Sequence, residues 1–353
     1  MKTAFRPIPR WADYLLLPLL NPMLALLGAA LVVLAAGASP LDALAALLRG
    51  SFGDADSISY TLYYATDRIF AGLAVALAFH AGLFNIGAEG QATIGGVGAA
   101  LVALHAGGLP GVVVLPLAVA GAAIFGAAWA AIPGWLQAHR GSHVVITTIM
   151  FNFIASALMV YLLTGPLIAR GDLTPETAQF PAAGWMPGFG TDTPLNAAFP
   201  LALACLVLVW TILWHTRWGF SLRVLGANPR AALYAGINPA RQIVLAMLAS
   251  GALAGGIAVN EVLGAQHRLQ LGFSSGYGFT GIAVALMGRN HPAGILPASL
   301  LFGALYQGGA ERAFDIPRIS NDLVVAVQGL VILTTGGMPF LLRPLLARAF
   351  GQR

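Results

Sequence analysis

The sequence predicts an all-α membrane protein with about ten transmembrane helices. Three observations lead there. The 353 residues are 58% hydrophobic and only 9% charged, with a mean hydropathy of +0.80; a soluble domain carries about 25% charge, which it needs to face water. Apolar runs recur along the chain at roughly the 20 residues a spanning helix requires. Basic and acidic residues also collect in alternate connections between those runs. The 43 glycines suit close helix packing in lipid.

The elements follow in order. Residues 1–14 carry Lys2, Arg6 and Arg10 and read as a cytoplasmic amino terminus. The first span, 15–36, exceeds the apolar core of about 7–15 residues in a secretory signal, so it reads as a retained helix. The second, 59–80, holds Asp67 and Arg68, which as neighbours on a helix face different partners. The third, 87–106, is glycine-rich with a polar start. The fourth and fifth are 111–137 and 144–165, the fifth bearing Phe151 and Asn152. A polar, proline-rich external loop covers 166–196.

The sixth span, 197–215, contains Cys205, the single cysteine, which has no internal disulfide partner and reads as a small buried side chain. An arginine-rich cytoplasmic loop fills 216–241. The seventh span, 242–263, holds the packing pair Gly251 and Gly255 and ends near Asn260 and Glu261, which read either as interhelix hydrogen-bond partners or as reaching the outer interface. The last three are a short 277–289, then 293–310 and 323–342, before a cytoplasmic tail at 343–353. With both ends inside, twelve of the 18 basic residues fall inside, and acids such as Asp54, Glu176 and Asp322 fall outside. The two sets of five spans then run oppositely, which permits an inverted repeat of five plus five. The whole reads as one transmembrane domain over 1–353.

Two segments stand out. Gly82-Leu83-Phe84-Asn85-Ile86-Gly87-Ala88-Glu89-Gly90-Gln91 sets polar groups among glycines between apolar helices. A carboxylate there should face a cavity, a partner or water. Irregular backbone is tolerated in lipid only where protein or water covers it. The stretch reads either as a broken helix lining a path or as a tight capped hairpin. In the loop from Thr216 to Ile237, Asn228 before Pro229 signals a helix start, and 229–235 fits a short helix. The loop reads either as carrying that short helix along the membrane surface or as a positive segment that only fixes topology.

Other patterns carry less. Gly272-Phe273-Ser274-Ser275-Gly276 has the G-x-S-x-G spacing but lacks the strand-to-helix turn that a hydrolase elbow needs. No phosphate-binding G-x-x-x-x-G-K-[ST] occurs, and the only lysine is Lys2. The seven histidines show no metal-ligand spacing, and no basic-aromatic run suggests nucleic acid. No catalytic residue, metal site or bound cofactor is expected.

The segment Phe84 to Gln91 resembles the signature of ABC importer permeases of the branched-chain amino acid, simple sugar and nucleoside group. Ser221 to Pro229 with Ala235-Gly236-Ile237 is similar to that family's cytoplasmic coupling segment, and Gly281 to Gly288 to its C-terminal span. The nearest likeness is to nucleoside-type permeases served by lipoprotein receptors. Arg289-Asn290-His291 departs from the family's glycine-rich run.

The resemblance implies a permease subunit of an ATP-driven importer in a bacterial-type cytoplasmic (inner) membrane. Its partners would be an ATP-binding subunit holding ATP and Mg, a second and different permease, and an external substrate-binding lipoprotein or periplasmic protein. The implied pathway residues are Phe84, Asn85, Glu89, Gln91, Phe151, Asn152 and Asn260; the implied coupling residues are Arg223, Gly226, Asn228 and Gly236. Purine nucleosides are the expected solutes, with simple sugars or branched-chain amino acids as the alternative within the family. A secondary transporter is the alternative outside it.

Overall fold

The computed structural model describes residues 16–312, except 36, 38, 107, 170, 172–173 and 191–192, with residue 9 and a few positions after 328. The amino terminus at 1–14 and most of the expected span 323–342 and tail 343–353 lie outside the described residues. Two compact units divide the chain, Met1–Ile58 with Ala304–Arg353, and Ser59–Gly303.

In the first unit, α1 (Leu17–Ala35) is followed by α2 (Pro40–Phe52). Ser39 caps α2, accepting from the Asp42 amide, with Pro40 in the first turn where a missing N–H costs nothing. Ser51 donates to the carbonyls of Leu47 and Ala304. Asp54, exposed at the start of α3 (Ala55–His80), accepts from the Ser57 amide at 2.7 Å, which holds its carboxyl below the ordinary range.

In the second unit, four more labelled helices precede the arginine-rich segment: α4 (Ala88–His105), α5 (Gly111–Arg140), α6 (Val144–Thr164) and α7 (Ala198–His215). The arginine-rich segment is itself helical, as α8 (Arg217–Ala227) and α9 (Pro229–Tyr234). Then come α10 (Pro239–Ala254), α11 (Gly256–Ala258) and a π-helical segment, Val259–Gln266. α12 (Tyr277–Met287) and α13 (Pro292–Arg312) complete the order. Five described helices are long and apolar enough to cross a membrane: α3, α5, α6, α7 and the continuous Pro239–Gln266, with a sixth if the bent pair of α1 and α2 is one span.

α4 is enclosed on most sides, and 13 of its 18 residues are buried. Its small side chains make this possible: Gly98 packs on the Gly121 carbonyl of α5, and Gly95 lies against Gly255 and Ala122. The glycine-rich third span is therefore one unbroken helix, and the break lies before it, at 81–87. α12 is short, as its sequence suggested. Eleven residues rise about 16 Å, half a hydrocarbon layer.

The described residues of 166–196 are irregular apart from one 3-10 turn, Ala182–Gly184, but they are anchored. Their backbone donates to Leu269, His267 and Leu263, Glu176 pairs with Arg268 at 2.6 Å, and Trp185 stacks on His267 at 4.2 Å between centroids.

Candidate functional site

At the break, Gly82 takes φ +75°, a left-handed conformation that favours glycine. Asn85 is fully buried and uses both ends of its amide. Its Nδ2 donates to Gln91 Oε1 (3.0 Å) and Ser250 Oγ (2.8 Å), while its Oδ1 accepts from the Gly87 amide (2.8 Å) and Gln91 Nε2 (3.2 Å). Ser250 passes its own proton to the Ala74 carbonyl. Asn152, from α6, accepts from the Gly90 amide at 2.9 Å and donates to the Ile86 carbonyl at 3.0 Å. Asn85 and Asn152 thus answer backbone groups that the irregular turn and the start of α4 leave without helical partners. Phe84 packs on Phe79, and Phe151 on Trp129.

Glu89 behaves differently. It projects from the first turn of α4 towards the start of α12. Its Oε1 accepts from Ser274 Oγ (2.6 Å) and the Gly276 amide (3.0 Å), and its Oε2 from the Gly278 amide (2.8 Å). Gly276 is the N-cap of α12 and Gly278 lies in its first turn, where helical N–H groups lack partners and negative charge is favoured. Gly278 is required here, because a Cβ would collide with the Glu89 backbone. The approach to α12 turns on Gly272, Ser275 and Gly276, all at positive φ. This loop, Glu89 and Thr93 of α4, and Ser156 and Met159 of α6 border a cavity of about 360 Å³. Of the seven expected pathway residues, Glu89 borders this cavity, whereas Asn85, Gln91 and Asn152 are buried and held in hydrogen bonds with one another or with the backbone of the turn.

Asn260 and Glu261 are buried within the protein, 1% and 5% exposed. Asn260 donates to Asp67 Oδ2 (3.0 Å) and accepts from Asn196 (3.1 Å), while Glu261 accepts from the Tyr63 hydroxyl (2.7 Å) and from Gln266 (3.2 Å). In an α-helix consecutive residues point about 100° apart, but the wider π turn sets both against α3. Arg68 instead donates to the Tyr64 carbonyl and lies over the Tyr277 ring at 5.1 Å. Asp67 and Arg68 therefore do find different neighbours.

In the arginine-rich segment, Asn228 caps α9 by accepting from the Arg230 and Ala231 amides. Gly236 turns the chain at φ +73°, and Gly226 packs on the His80 carbonyl with no room for a Cβ. Arg223 lies over Trp214 at 5.9 Å. These four build the segment. The large side chains it exposes are others: Tyr234 is 95% exposed and its sequence neighbour Leu233 61%, and Phe220 on α8 is 58% exposed. Leu233 and Tyr234 end the short helix that Asn228-Pro229 announces, and that was the signal for them. Among the described residues, no three of His, Cys, Asp and Glu gather as a metal site requires.

The comparisons with known proteins agree on one family. The family model described as "Branched-chain amino acid transport system / permease component" matches residues 57–335. The chain is 36% identical to the glucose ABC transporter permease protein TsgB13 of Haloferax volcanii, over 99% of this chain and 93% of that protein. It is 35% identical to the guanosine ABC transporter permease protein NupP of Bacillus subtilis, over 94% and 96%. It is also 35% identical to the nucleoside ABC transporter permease protein NupB of Lactococcus lactis, over 90% and 89%. With its apolar helices and this match over most of its length, the chain belongs to the branched-chain amino acid transport system permease family and is a non-catalytic membrane permease component.

Proposed function

We propose that this chain is the permease subunit of an ATP-driven importer for purine nucleosides. The likeness to guanosine and nucleoside permeases over nine-tenths or more of the chain carries this reading. The ten spans, with both ends cytoplasmic and the two sets of five oppositely oriented, supply an alternating-access frame in a bacterial-type inner membrane. ATP binding and hydrolysis belong to a separate subunit, delivery to an external binding protein, and the second half of the pore to a different permease. A second reading, a sugar importer, is favoured by the 36% identity to a glucose permease. Guanosine and glucose share a ring bearing neighbouring hydroxyls.

Labelled guanosine uptake, measured in cells holding the full transporter, tests the reading. Expected is uptake that stops with a hydrolysis-dead ATPase subunit and is blocked by unlabelled nucleosides but not by ribose or leucine. Blocking by ribose would replace the solute. Uptake indifferent to the dead ATPase would return the chain to a secondary transporter.

The exposed end of α9 fits the role of docking the ATPase subunit. Aromatic anchors at interfaces carry about 2 kcal/mol or more each. Tyr234→Ala is therefore expected to cut ATPase co-purification and uptake together by about tenfold or more, with Tyr234→Phe near wild type. Undiminished co-purification of Tyr234→Ala would place the docking surface elsewhere.

A further inference from the structure

We infer that the cavity beside Glu89 is the permease's own subsite for the sugar ring of the solute, reading its neighbouring hydroxyls through Glu89, Ser156 and Ser274. This rests on the proposed nucleoside function and adds which part of the solute the membrane subunit recognises.

The argument starts with charge. Glu89 brings a carboxylate to the cavity wall, which repels anions. Its charge already faces a hydroxyl and two amides at the start of α12, so a cation has little unmatched charge to gain. The site therefore suits a neutral ligand. Hydrogen bonding narrows the class. Two carboxylate oxygens offer about four lone-pair positions, and three are occupied here. The remaining position accepts one ligand hydroxyl.

Ser274 spends its proton on Glu89 and keeps its oxygen as an acceptor. Ser156, exposed on α6, also lines the cavity and can donate and accept. One acceptor beside two hydroxyls matches a pair of neighbouring hydroxyls, each both donor and acceptor. Met159 and Phe273 supply an apolar wall for the C–H face of a ring. About 360 Å³ is near the lower end of small-molecule sites, with room for a single small ring system.

The test uses the complete transporter and two solutes, guanosine and 2′,3′-dideoxyguanosine. The receptor's affinity for each is measured separately and divided out of the uptake rates. Wild type is expected to keep a preference of about tenfold for guanosine after that correction, the scale of one or two lost hydrogen bonds. In Ser156→Ala the preference falls to about threefold or less through a slower guanosine rate; Ser156→Thr, which keeps the hydroxyl, restores it. Two results overturn the inference: no corrected preference in wild type, which needs no variant, or the same preference in Ser156→Ala as in wild type. Failure of the nucleoside reading looks different, since wild type then takes up no guanosine at all. If glucose moves instead, glucose against 2-deoxyglucose gives the ratio that decides; if no hydroxylated ring moves, the inference falls as well.

Discussion

Gly251→Leu is expected to leave almost no folded protein in the membrane. Gly251 of α10 sits directly on the Gly126 carbonyl of α5, and the collision is mutual, since a Cβ on Gly126 would meet the Gly251 carbonyl. One turn along, Gly255 lies equally close to the Ala122 carbonyl. These are backbone-to-backbone contacts, so no rotamer can swing aside. Overpacking a tight core costs about 1–3 kcal/mol, and more where backbone must move. In lipid, separated helices have no hydrophobic drive to close again. Gly251→Ala should be intermediate. The measurement is monodispersity and thermal midpoint of the detergent-solubilised protein. A Gly251→Leu variant that elutes as one peak with the wild-type midpoint would refute the packing argument.

Glu89→Lys is expected to abolish uptake, by about 100-fold or more, in a protein that still reaches the membrane. The substitution sets a cation against three donors, two of them amides at a helix start that already bears partial positive charge. Hydrogen bonds to a charged group are worth about 1.5–3 kcal/mol each, so losing two of them already exceeds a hundredfold. Glu89→Gln keeps one acceptor oxygen and turns an NH₂ towards a donor, so a loss nearer tenfold is expected. Wild-type uptake by Glu89→Lys would show that the start of α12 needs no anionic cap.

Much of this arrangement was legible in the sequence, for identifiable reasons. The apolar runs gave the long helices because burial in lipid dictates length and composition together. Gly251 and Gly255 announced a packing seam, and Asn228-Pro229 a helix start; both stand where expected. The polar hairpin at 82–91 was conspicuous, yet polarity alone does not say whether a side chain serves a solute or the backbone. Asn85 and Asn152 serve the backbone here.

Gly272 to Gly276 was set aside because its spacing suggested an inapplicable enzyme motif. Its real partner, Glu89, is 185 residues from Ser274, beyond the reach of any local pattern. Asn260 and Glu261 sit near the end of a span, which left open both an interhelix bond and the outer interface; the structure shows the interhelix bonds, to Asp67 and Tyr63 of α3. Likewise, family likeness marked residues that shape the arginine-rich segment, such as Asn228 and Gly226, while the exposed Tyr234 needed the structure to be seen.

The bonds around Glu89 and Asn152 have a mechanical consequence. Asn152 rivets α6 to the start of α4, and Glu89 rivets α4 to the start of α12, and the α4 residues that hold them, Gly90 and Glu89, are consecutive. Helices fastened together at one level cannot slide past each other along their axes. They can only rock about that level. The riveted plane is then a fulcrum: tilting widens the gap between helices at one end and narrows it at the other, while the floor beside Glu89 keeps its geometry.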